Sequence, residues 1–124
     1  MMDKKDLAVQ YKHRGFNCAQ AVIAAYADEL GIDMETARAL GAGFGAGMGT
    51  MGATCGALCG AQIVLGLKNK GKPVMGSARK LFGDFLNRCG GTVCIDLKGV
   101  ATGRMLCSCD DCVANAVAGL GELL

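Results

Sequence analysis

Eight cysteines in 124 residues are the side chains most able to do chemistry: Cys18, Cys55, Cys59, Cys89, Cys94, Cys107, Cys109 and Cys112. A thiolate binds soft metals or attacks a disulfide, and it is favoured at a helix start, where free N–H groups and the dipole face the sulfur. Three cysteines fall at expected helix starts: Cys18 follows the cap Asn17, Cys55 follows Thr54, and Cys109 follows Ser108. Cys55 and Cys59 are four apart, so on one helix they share a face and could address one metal centre. Cys107, Cys109 and Cys112 form CxCxxC, a spacing that chelates zinc or iron or makes a local dithiol. Cys89 and Cys94 flank Gly90-Gly91 as a second local pair. The competing reading treats cysteine as a small buried hydrophobe, and it applies best to Cys59, between Leu58 and Gly60.

Other chemistries have less support. The one histidine, His13, stands between Lys12 and Arg14 and reads as solvated surface. With no second histidine and with carboxylates mainly at helix ends, general acid–base catalysis has no relay to use. The Gly41 to Gly52 run lacks the Lys-Ser/Thr ending of a P-loop. No CxxCH is present to attach haem covalently. Thirteen Lys+Arg against eleven Asp+Glu leave a net charge of +2, which disfavours nucleic acid as a partner. The N-terminus lacks the apolar core of a secretory signal, so a cytoplasmic, reducing location is expected, and there cysteines serve metals or redox chemistry more often than structural disulfides. The uncharged stretch from Ala39 to Leu67 is long enough to span a bilayer, but nine of its residues are glycine, so no membrane span is expected.

Helices must position these thiols. Asp3 caps a first helix ending near Gly15, and Asn17 caps a second in which Ala19, Val22, Ile23, Tyr26 and Leu30 recur at helical spacing up to Gly31. A short helix follows Asp33 to about Leu40. The alternating glycines from Gly41 to Gly49 cannot form stable helix; they let backbone N–H groups approach an anion or let helices cross closely. Thr54 caps a central buried helix from Cys55 to about Asn69. Pro73 opens another, with Val74, Ala78, Leu81, Phe82, Phe85 and Leu86 on one apolar face, ended by Gly90-Gly91. Residues 92–102 read as irregular or briefly extended. Ser108 and Asp111 resemble a capping box before a terminal helix. Seven methionines are expected to fill core gaps left by few aromatics. The expected fold is all-α: one domain, 1–124, a compact bundle of about five to six helices with a glycine-rich loop before a central buried helix.

The order of motifs is specific. Asn17-Cys18-Ala19-Gln20-Ala21-Val22, the glycine run into Cys55-Gly56-Ala57-Leu58-Cys59-Gly60, Cys94-Ile95-Asp96-Leu97-Lys98-Gly99, and Cys109 to Val113 together resemble the redox-active C_GCAxxG_C_C family. The resemblance spans nearly the whole chain and implies cofactor or metal binding through Cys18, Cys55, Cys94 and Cys109. Cys59, Cys89, Cys107 and Cys112 are then extra cysteines and secondary metal candidates. A similar module accompanies haem in split-Soret-type cytochromes, where an iron–sulfur centre is implied. Three readings follow. The first is an iron–sulfur electron carrier with a redox partner protein. The second is a thiol–disulfide oxidoreductase using Cys109/Cys112, or Cys55 with another family cysteine. The third is a zinc or copper(I) binding module. An uncovered glycine-rich surface would suit a homodimer.

Overall fold

A computed structural model describes residues 3–124. Its helical segments are α1 (Lys4–His13), α2 (Cys18–Ala25), α3 (Ala27–Leu30), α4 (Met34–Gly41), α5 (Gly45–Met48), α6 (Gly56–Lys68), α7 (Met75–Cys89), α8 (Cys94–Lys98) and α9 (Cys109–Gly121). Six of these nine have seven residues or more, and no strand occurs among the described residues.

The caps expected from sequence form at several starts. Asp3 accepts from the Asp6 N–H, Asp33 from the Thr36 N–H, and Asn17 forms a full capping box with Gln20. Gly31 and Gly90 end their helices in the left-handed conformation. Helices α2, α6 and α9 pack on one another at the centre, while α1 lies against α2 and α9, α4 against α2, and α7 against α9. Seven of the eight residues of α2 are buried, four of them alanines. These small side chains let α6 come very close: a Cβ on Gly60 would sit 2.7 Å from the Ala19 carbonyl oxygen. Glycine at that crossing removes bulk. Val22, Ile23, Leu58, Leu65, Leu81, Phe85, Leu97, Val113 and Leu120 fill the core.

Several local expectations are corrected. The N-cap of α6 is Cys55 itself, not Thr54, and no side-chain cap bond is made there. Helix α7 begins at Met75, after Pro73 rather than on it. Its buried stripe is Leu81, Phe85 and Cys89, spaced by four, whereas Phe82 and Leu86 are exposed because α9 covers one side of the helix only. Segment 94–98 is a short helix instead of irregular chain. None of the described methionines is fully buried; Met34 packs partly buried against the core, and Met48, Met75 and Met105 are exposed. The glycine run is irregular but includes one turn, α5, in which Ala46 and Gly47 take left-handed dihedrals.

Candidate metal or redox centre

Four helix N-termini converge on a cavity of about 200 Å³, and each carries a cysteine. Cys18, Cys94 and Cys109 are the first residues of α2, α8 and α9, and Cys55 is the N-cap of α6. Cys112, Lys12 and Lys98 complete the wall with Asn17, Ala46 and Met51. Cys18, Cys55 and Cys94 are buried and Cys109 is exposed. All eight cysteines are free thiols.

Backbone pairing puts Cys55 and Cys94 side by side. Thr54 and Val93 form an isolated antiparallel bridge. Around it the Cys55 N–H donates to the Thr92 carbonyl at 2.7 Å, and the Cys94 N–H to that of Ala53 at 3.0 Å. Cys18 is fixed by its cap. The Asn17 amide donates to the Gly41 and Ala42 carbonyls at 3.2 and 3.3 Å, which ties the start of α2 to the end of α4. Cys109 follows Ser108, whose hydroxyl accepts from the Asp111 N–H at 3.1 Å; no return bond from Asp111 completes the box.

The glycine run reaches the cavity through α5. Its left-handed turn brings the Ala46 N–H to the Cys18 sulfur. Gly47, at φ +60°, has no room for a side chain: a Cβ would lie 2.7 Å from the Cys94 Cβ. A Cβ on Gly56 would lie 2.6 Å from the Cys18 sulfur. Both glycines are therefore needed for the thiols to stand where they do.

The electrostatics single out one sulfur. Hydrogen bonds from the Cys112 and Cys18 thiols, with the Ala57 and Leu58 N–H groups of the first turn of α6, hold Cys55 at about 3. Of the cavity cysteines, Cys55 is thus the one whose thiolate is favoured. Cys18 and Cys112 are pushed up, because their protons are held in the bonds to Cys55 and because both are buried. Burial also raises Cys94. Lys98 is pulled down by burial, but negative charge on the neighbouring Cys112 and Cys109 sulfurs, with the hydrogen bond to Cys112, more than offsets this and leaves it raised. Its ammonium lies 3.4 Å from the Cys112 sulfur and donates to the Cys107 carbonyl at 3.1 Å.

Behind this wall lies a second thiol group. The sulfurs of Cys89, Cys107 and Cys112 are all within 4.8 Å of one another and could hold a metal ion. All three residues are buried, and Cys112 belongs to both groups. The neighbouring Cys112, and then Asn115 and Cys107, bring Cys89 down to about 6 against the cost of its burial, whereas burial pushes Cys107 up to about 11.

Cys59 stands apart. It lines a different, apolar cavity with Phe44, Leu58, Ile63 and Phe82, and burial raises its thiol. His13 is solvated surface, as expected, with its Nε2 2.6 Å from an Asp110 carboxylate oxygen. The sequence reading missed Lys12, Lys98 and Asn115. Lys98 had a signal, since it follows Cys94 by four on one short helix; Lys12 had none, because α1 reaches the cavity only through tertiary packing.

A family profile matches residues 16–123, from just before α2 to just past the end of α9, and leaves out α1 and its Lys12. No match was found among curated proteins or among solved structures. Matched over that length, with its cysteines gathered as described, the chain belongs to the family described as "Putative redox-active protein (C_GCAxxG_C_C)".

Proposed function

We propose that the protein is an electron carrier that holds an iron–sulfur cluster in the cavity through Cys18, Cys55, Cys94 and Cys109. The observation that carries this reading is the convergence of four cysteines, each at a helix N-terminus, on one opening. A single tetrahedral ion with metal–sulfur bonds of about 2.3 Å keeps its sulfurs roughly 3.8 Å apart. Among the described residues, the three cysteines close enough for that are Cys89, Cys107 and Cys112, whereas no three of the four cavity sulfurs lie within 4.8 Å of one another. That spread suits a polynuclear centre. When bound, such a cluster supplies a one-electron couple.

The chain's own groups fit its charge. Helix starts and the Ala46 N–H face the sulfurs, and Lys12 and Lys98 add two cations to the wall. Both effects stabilise the more negative, reduced state and raise the potential. Cys109, exposed at the mouth, is the route closest to a redox partner protein. A reducing compartment such as the cytoplasm agrees with eight free thiols.

The test is protein purified without oxygen, with its absorption spectrum and its iron and acid-labile sulfide content. Brown protein with matched iron and sulfide, bleached by dithionite, is expected. Colourless protein free of iron would overturn the reading.

One observation favours a second reading, a thiol–disulfide oxidoreductase: Cys18 and Cys55 line the same cavity, and the neighbouring Cys18 helps to hold the Cys55 thiol low. In that reading the Cys55 thiolate attacks a substrate disulfide and expels one thiolate. Cys18, giving up its proton, then attacks the Cys55 sulfur and expels the other, leaving a Cys18–Cys55 disulfide and two substrate thiols. A reversible two-electron couple in metal-free protein, with that disulfide found by peptide mapping, would decide for it.

A further inference from the structure

We propose that Cys89, Cys107 and Cys112 form a trigonal site for one copper(I) ion, distinct from the cavity centre except for the shared Cys112. The three sulfurs come from the last residue of α7, the segment before α9 and the first turn of α9, and they lie within 4.8 Å of one another. A three-coordinate ion with metal–sulfur bonds of about 2.3 Å holds its ligands about 4 Å apart, so small side-chain rotations close the site.

Soft thiolates accept copper(I), zinc and iron, and the surroundings choose among them. Zinc in a structural site takes four ligands. Here the side-chain nitrogens turned to the sulfurs are donors, the one oxygen, the Cys107 carbonyl, stands off at 3.8 Å from the Cys112 sulfur, and Cys55, next to Cys112, is not within 4.8 Å of all three sulfurs. The Asn115 amide nitrogen is 3.4 Å from the Cys89 sulfur and 3.8 Å from that of Cys107, and the Lys98 ammonium is 3.4 Å from Cys112. An ammonium has no lone pair to offer a metal. The histidine is engaged at the surface with Asp110. Three sulfurs without an oxygen or nitrogen ligand, in a site where the three cysteines are 3%, 7% and 0% exposed, match a monovalent soft ion that is satisfied by three thiolates.

Charge points the same way. Three thiolates and one monovalent ion leave two negative charges; Lys98 offsets one, and the Asn115 amide bonds take up part of the other. The ion enters as copper(I) and the thiol protons leave, so no electron changes hands. The inference does not rest on the iron–sulfur reading.

The experiment is an oxygen-free copper(I) titration of the purified protein against a chromogenic copper(I) chelator, with copper, iron and sulfide measured separately. Wild type is expected to take up about one tightly held copper(I) per chain in a shell of three sulfurs by X-ray absorption. Cys89→Ala and Cys107→Ala are each expected to weaken it on the order of 100-fold or more, while iron and sulfide stay at the wild-type level. Unchanged copper affinity in both variants, a shell of four sulfurs, or displacement of copper by equimolar zinc would overturn the proposal. Melting followed by circular dichroism checks that the variants fold, and the wild-type sulfur count decides on its own if they do not. Absent iron with intact copper binding would sink the cluster reading and leave this one standing.

Discussion

The cavity and the triad behind it are built from the same residue type, share Cys112, and yet treat sulfur in opposite ways. In the cavity Cys18, Cys55, Cys94 and Cys109 each stand at a helix N-terminus, where backbone N–H groups and the positive end of a dipole face the sulfur. In the triad, Cys89 is the last residue of α7, where the dipole opposes a thiolate, and Cys107 lies outside any helix. Their support comes from side chains instead, namely Asn115 and Lys98. The cavity opens at Cys109; the triad is sealed. Backbone-held sulfurs spread around an opening suit a centre that exchanges electrons with a partner, whereas converging sulfurs in a dry core suit one retained ion.

The largest test of this division sets Cys55→Ser beside Cys89→Ala. Loss of nearly all iron and sulfide is expected in the first and full retention in the second, by metal and sulfide analysis. Equal loss in both would merge the two regions into one centre.

Protonation separates them next. Cys55, held at about 3, is expected to stay largely a thiolate from pH 5 upward, whereas an ordinary thiol loses reactivity about tenfold per unit below its own pKa. In metal-free protein the alkylation rate of Cys55 is therefore expected to be flat from pH 8 to pH 5, while that of a reference thiol falls on the order of 1000-fold. The sign for stability follows. A thiol lowered from 9.0 to about 3 contributes fully above pH 9, and the contribution is lost as pH falls toward 3. A Cys55 rate that tracked the reference thiol would remove the asymmetry.

Steric design gives the third test. Gly47→Ala forces a side chain against Cys94 at φ +60°, and a cost of about 2–4 kcal/mol is expected by thermal melting. Gly66→Ala, in α6 with nothing near its added Cβ, is expected to stabilise by about 0.5–1 kcal/mol. Comparable losses at the two would mean that the cavity glycines are not special.

Lys98 touches both regions. Lys98→Met is expected to lower the cluster potential on the order of 50 mV, measured by spectroelectrochemistry, as one cation leaves the wall. The smallest effect belongs to His13→Ala. Its partner Asp110 sits beside Cys109, but the pair is exposed, so a change under about 0.5 kcal/mol and unaltered iron content are expected.

Much of the site could be read from local sequence. Asn17, Asp3 and Asp33 cap helices because their short side chains reach N–H groups three residues on, a purely local geometry. Cys18 and Cys109 were legible at helix starts for the same reason. Cys94 was not: the five-residue α8 has no side-chain cap, and it is held by the Cys94 and Ile95 N–H bonds to Ala53 and Met51, forty residues earlier. Phe82 and Leu86 were misplaced because periodicity marks an apolar face but not how much of it a neighbour covers.

The sequence by itself determined the helical class, the helix stops at Gly31 and Gly90, and the thiol chemistry, because each depends on residue type and on neighbours within one or two turns. Tertiary structure decided which thiols meet. It turned Cys55 into a helix cap, bent the glycines from Gly45 to Gly49 into a left-handed turn under Cys18, and divided eight cysteines between an open cavity, a sealed triad and the separate Cys59. No spacing encodes that division, since sulfurs from segments as distant as Cys18 and Cys112 come together only when α2, α6 and α9 pack.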